Sequence, residues 1–349
     1  MRRCALFTMW LVCLPAWAQD GAARIKSEIE RLRQSFPQKF EPAEVKPAIE
    51  DLLKAASSAL NGGNLYLSIE KLGQAADYLQ GARAAQGKNE AFESEWANAS
   101  RALEASGRTL RAVNWNGAPA ALRALSETAQ VKAVPLLDGA RGFATATGPR
   151  DGIFYLGQAL GEIEFARFCS TLRLPNGKRA FPLRSFLPEL EALQTKTNAA
   201  FQPPQSIDLH SRFIALNSAI KLAKEADAGK DYAGALYQYL EGVRHYAMLD
   251  APQVAESQQD AVKASLAAAR KKLEASREDE SIALLFVQRA ESQIAHYDGS
   301  ASIPDEWRVA QVIAERVLSA HAAARKSAGR TSGKAPRTVE LTLVRWPYT

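Results

Sequence analysis

Four groups of residues have types and spacings suited to chemistry. Glu93-Ser94, Glu256-Ser257 and Glu291-Ser292 each set a carboxylic acid beside a hydroxyl, and a protonated carboxyl is what acid cleavage of a glycosidic bond requires. Cys169 offers a thiol, and His210, His245, His296 and His321 offer imidazoles. The stretch "DYAGALYQYLEGVRHYAMLD", residues 231–250, crowds four tyrosines, a histidine and a methionine into one helix length.

Each group also has a plainer reading. Cys169 sits in "EIEFARFCSTL" among apolar residues at helical spacing, with no activating histidine nearby, so it reads as a small buried hydrophobe. The four histidines fall in four separate helices, and no pair has metal-ligand spacing, so neither a metal site nor a cofactor is expected. Exported glycan-cleaving helical proteins, the lytic transglycosylases, use a catalytic Glu often followed by Ser. The companion Gly- and Tyr-containing motifs of that family are missing, and such dipeptides are common on solvated faces of Glu- and Ser-rich helices. No Gly-rich phosphate loop, nucleophile elbow or H-E-x-x-H pair occurs. No catalytic residue is assigned.

The elements that must position these residues are helices. Apolar residues recur at three- and four-residue steps among strong helix formers. Ile25, Ile29, Leu32 and Phe36 form the first stripe. Further helices are expected at 43–60, 65–85, 89–113, 117–129, 134–146, 153–172, 206–228, 232–249, 253–275, 279–298 and 304–327. Short breakers such as "NGG" at 61–63 separate them, which makes neighbours antiparallel hairpins. In the 232–249 helix, Ala235, Leu236, Tyr239, Leu240, Val243, Tyr246 and Ala247 share one face. Gln238, Glu241, Arg244 and His245 gather on the polar side.

Charge and termini set the compartment. Arg2 and Arg3, an apolar run from Leu6 to Pro15 and Ala16-Trp17-Ala18 form the pattern of a signal peptide cut after Ala18, so the chain is expected to be exported and periplasmic. No other segment is apolar enough for a membrane helix. The chain carries +6, and residues 1–18 hold two arginines and no acid, leaving +4. That surplus gives no reason to expect a nucleic-acid partner.

"AIKLAKEADAGKDYAGALYQYLEG" resembles a tetratricopeptide repeat, a helix-turn-helix unit stacked in arrays. Leu222 and Ala223 match the first helix, Tyr232 the turn aromatic, Ala235 the small residue opening the second helix, and Tyr239 its aromatic. Gly242 stands where Ala is usual, Ala219 replaces a bulky aromatic, and the closing proline arrives late, at Pro252. Ala56, Gly63, Ser68, Leu72 and Ala75 fall at comparable intervals, and "YLGQAL" at 155–160 looks like another first helix.

The resulting expectation is an all-α protein of antiparallel helical hairpins stacked as a tetratricopeptide-like α-solenoid with a short β-like tail. Residues 19–147 would form N-terminal hairpins, 148–328 a repeat-like region, and 329–349 a basic linker and tail. The tail alternates, with Val339, Leu341 and Leu343 on one side, and ends in Trp346-Pro347-Tyr348. It either folds back as a cap or adds a strand to a partner's sheet. A protein or peptide partner is expected on a face holding Tyr232, Tyr237, Glu241 and Arg244, with Leu341, Leu343, Trp346 and Tyr348 as tail contacts. A glycan-acting enzyme and a structural envelope component forming a homo-oligomer through its tail are the alternatives.

Overall fold

The computed structural model describes residues 16–40, 43–86, 92–174, 176–203, 207–295 and 305–328. The tail with Leu341, Leu343, Trp346 and Tyr348 lies outside them, as do His296 and residues 1–15. The described chain is all-helical. Its only β-type pairing is a single bridge between Arg179 and Glu278.

The helices are α1 (Ala16–Gln34), α2 (Val45–Asn61), α3 (Leu65–Ala85), α4 (Phe92–Arg111), α5 (Ala120–Ala146), α6 (Pro149–Thr171) and α7 (Leu187–Ala200). After a 3-10 turn follow α8 (His210–Ala228), α9 (Tyr232–Ala247), α10 (Glu256–Ala275), α11 (Ser281–Ala295) and α12 (Asp305–Val312). A π-helical segment, Ile313–Val317, joins α12 to α13 (Leu318–Ala328). The first stripe holds, with Ile25, Ile29 and Leu32 buried. The helices expected at 117–129 and 134–146 are one, α5, which runs through Pro135. Ala133, Leu137 and Ala140 pack on Ile153 and Leu156 of α6, and this burial outweighs the hydrogen bond that proline cannot make. The short helix α7 begins at Leu187-Pro188, with proline in the first turn where no amide donor is needed.

Two hairpins share one turn geometry. In α2–α3 the amides of Gly62 and Asn64 reach back to Ser58 (3.0 Å) and Ala59 (2.8 Å). In α8–α9 those of Gly229 and Asp231 reach Glu225 (3.0 Å) and Ala226 (2.8 Å). Gly63 (φ 75°) and Lys230 (φ 64°) hold the same left-handed position. The offset that relates the two turns also relates Glu70 to Tyr237, 167 residues on, and those two side chains bond to each other.

Packing does not follow chain order. α2 lies on α3, α3 chiefly on α6, α6 on α5, α5 on α9 and α9 on α8. The C-terminal helices then return, and α11 touches both α3 and α5 while the π segment touches α9. One buried cluster runs from Ile25 to Ala324 and so includes residues on both sides of position 147. The α3–α6 crossing is close because it is lined with glycine. A Cβ on Gly161 would stand 2.7 Å from the Asp77 Cα, and one on Gly73 would stand 2.6 Å from the Phe165 ring.

Gly161→Ala is therefore expected to cost about 1–3 kcal/mol by forcing α3 and α6 apart. Gly142→Ala, in open space on the same fold, should stabilise by about 0.5–1 kcal/mol. Urea midpoints of the two variants against the parent check both signs.

Candidate functional site

α9 brings the opening stretch into the interior. The residues buried on it are Ala233 to Gln238, Leu240 to Gly242 and Ala247, while Tyr239, Val243 and Tyr246 are only half-buried. Gln238 and Glu241 therefore do not sit on a solvated polar side, because α8, α5 and the π segment pack on α9, and Glu70 of α3 and Arg289 of α11 reach its side chains. His245 is half-buried rather than on the open surface.

The centre of this region is Arg289 on α11. Its guanidinium bonds both carboxylate oxygens of Glu70 on α3, with Nε to Oε2 at 2.7 Å, and also bonds Glu241 on α9. It donates to the Tyr237 hydroxyl, which in turn donates to Glu70 Oε1 at 2.6 Å. Its charge also lies 5.0 Å above the Phe286 ring. Burial would raise the carboxyl pKa of Glu70 and of Glu241, but Arg289 outweighs it and holds both below the usual range. Burial pushes the Tyr237 phenol well up, so it remains a neutral donor.

Around this cluster opens a cleft of about 370 Å³, bounded by α3, α5, α8, α9, α11 and the start of the π segment. Lys71, Lys132, Arg244, Arg289 and His245 line it, with Glu241 as the one carboxylate on its wall. Arg244 is tied to Glu241 at 2.8 Å. Burial and the nearby Arg289 charge lower the pKa of Lys71, although Glu70 opposes them. Burial and the Arg244 charge lower His245 to about 4, so the ring is neutral at neutral pH. Lys132 stands 4.0 Å from Glu162 of α6. Burial opposes its charge, but Glu162 and Asp77 outweigh that and keep it an ammonium. Asp77 and Glu162 are hydrogen-bonded to each other, and burial raises both pKa values. Asp77 rises furthest because Glu162 also repels its charge, so Asp77 holds the proton. The cleft is a cation-rich recess with one neutral imidazole.

Of the residues expected from sequence, Tyr237, Glu241 and Arg244 come together here. Tyr237 and Glu241 form the fixed base, and Arg244 is the more exposed of the three. Tyr232 lies apart at the start of α9, half-buried against the main core. Lys71, Lys132 and Arg289 were not anticipated. Part of the signal was available, since Glu70-Lys71 in "YLSIEKL" and Arg289 in "LLFVQRA" are charges set inside apolar runs.

The other candidates resolve separately. Cys169 is fully buried and its thiol pKa is pushed well up by burial. Among the described residues, no group of three or more His, Cys, Asp or Glu side chains could hold a metal ion, and no helix is long and apolar enough to cross a membrane. Glu291 is paired with Arg270 at 2.5 Å, Glu93 with Arg141 at 3.2 Å, and Glu256 is exposed at the start of α10. Compared with protein-family models, curated proteins and solved structures, the chain gives no significant match.

Arg289→Leu should leave two buried carboxylates without their counter-ion and cost about 3–5 kcal/mol, read from denaturant midpoints. His245 binds its proton only near pH 4 in the fold but at an ordinary value near 6.5 in the unfolded chain. The unfolded state thus takes up the proton first, and stability falls as pH drops from 6.5 to 4. His321, lowered to about 4 by burial, acts over the same window with the same sign, so His245→Gln should make the fall of the thermal midpoint shallower without removing it; an unchanged slope would show that the His245 ring is not held neutral.

Proposed function

We propose that this protein is an exported, periplasmic scaffold of tetratricopeptide-like helical hairpins that binds a protein or peptide partner. The cleft over Arg289 is its recognition site, and an acidic peptide segment is its ligand. One observation carries this reading. Lys71 and Arg244 project at the wall of a recess whose base is immobilised by the Arg289–Glu70–Glu241–Tyr237 network. The ligand's carboxylates would therefore meet cations already held in place, with little ordering cost. The volume suits one or two side chains rather than a whole domain. In this reading the signal peptide is removed after Ala18, and the cleft belongs to the processed chain.

Support also comes from the hairpins. The shared turn geometry at Gly63 and Lys230, and the meeting of equivalent positions Glu70 and Tyr237, are what two copies of one helix-turn-helix unit produce when their second helices converge.

A library of peptides is the test, displayed against purified protein whose mass shows that it begins at Gln19. Sequences with paired Asp or Glu should be enriched. Lys71→Gln with Arg244→Gln should weaken the selected peptides at least about tenfold, the size of one or two charge-assisted contacts, with the circular dichroism unchanged. Selection of apolar or basic peptides, or indifference to the double variant, would remove the reading.

A further inference from the structure

A second cavity, of about 710 Å³, lies between the α4–α5 connector, the first turns of α5, the loop 176–183 and the α8–α9 turn. Its four basic side chains, Arg111, Arg123, Lys178 and Lys230, face two carboxylates, Glu127 and Asp231. Three of the four cations make bonds within the fold. Arg123 is bound to Glu127 at 2.5 Å, and Lys178 donates to the Leu273 (3.2 Å) and Glu274 (2.9 Å) carbonyls at the end of α10. Arg111 donates Nε to the Gly107 carbonyl at 3.0 Å and its charge acts on Asp231, but its guanidinium is exposed, and Lys230 is exposed as well. Glu127 is also committed, because its other oxygen accepts the Gly234 amide at 2.8 Å.

Trp115 forms part of the wall. It is half-buried, packed on the main core on one side and lining the cavity on the other. The flanking loops are fastened together by the Asn176 amide on the Gly117 carbonyl at 2.9 Å. The side-chain oxygens of Asn114 and Asn176 accept the amides of Asn116 (2.9 Å) and Lys178 (3.3 Å). Their NH₂ groups remain as donors at the wall.

Lys230 adds a separate observation. It holds a left-handed backbone, φ 64°, at the position where the matching hairpin has Gly63, which adopts that conformation without strain. This lysine lines the cavity at a backbone cost that glycine would not carry.

We infer that this cavity binds an acidic saccharide, a sugar ring carrying a carboxylate or a phosphate. The indole of Trp115 supplies a flat apolar surface for the C–H face of the ring. The Asn114 and Asn176 amides donate to hydroxyls, and Arg111 and Lys230 receive the anionic group. The site is distinct from the cleft over Arg289.

Calorimetry on the processed chain separates the outcomes, with trigalacturonate, glucose 6-phosphate, maltotriose and inorganic phosphate as probes. Trigalacturonate or glucose 6-phosphate should bind saturably, maltotriose at least tenfold more weakly, and inorganic phosphate should not compete. Trp115→Ala should weaken binding at least tenfold. Lys230→Gly should weaken it similarly while raising the thermal midpoint by about 1–3 °C, because it relieves the left-handed lysine. Loss of binding with a gain in stability cannot come from misfolding. Four results would overturn the assignment: no binding by either acidic sugar, equal binding of maltotriose, equal binding of inorganic phosphate, or insensitivity to Lys230→Gly.

Discussion

Arg289 is the charge on which the interior depends. It reaches Glu70 on α3 and Glu241 on α9 from α11, and so joins three helices that are distant in the chain. Burying a guanidinium and two carboxylates costs several kcal/mol per ion, and the attraction among them repays that only when all the hydrogen bonds are made. Here the Tyr237 hydroxyl adds a second bond to Glu70 Oε1, which Arg289 also reaches, and Arg244 takes the Glu241 oxygen that Arg289 leaves. An apolar substitute could hold α11 in place with as much energy but not with the same register. The polar network specifies where the returning C-terminal helices sit, and the cation-rich cleft follows from that placement.

The glycine-lined α3–α6 crossing supplies the rigidity around it. Close backbone approach brings Asp77 beside Glu162, so a single proton and the Lys132 ammonium settle the charge of the pair. The same approach fixes α3, and with it Glu70, relative to α5 and α9. Packing density in one place thus determines electrostatics in another.

Much of this was legible in the chain. The helical class followed from apolar spacing, the hairpin turns from "NGG" and from the gap between the 206–228 and 232–249 helices, and the burial of Cys169 from its apolar neighbours. Periodicity alone puts Gln238 and Glu241 of α9 at the surface, because it assumes that one face of a helix meets water. α9 is buried over most of its length, and its Glu241 pairs with Arg289, 48 residues further on. The single helix α5 was read as two because Pro135 is a local breaker that only tertiary burial overrides. Lys71, Lys132 and Arg289 needed the fold to bring them together, since no spacing rule links α3, α5 and α11.

The contacts of Arg289 also carry a constraint on timing. Glu70 and its partner are separated by 219 residues. During synthesis the α2–α3 and α8–α9 hairpins can each form while the chain grows, because their contacts are local. The Glu70 carboxylate gains its counter-ion only once α11 is present. Loop closure over that separation comes late and is paid in chain entropy. A chain ending before α11 would keep the α3–α6 and α8–α9 packing but leave Glu70 and Glu241 without the counter-ion they share.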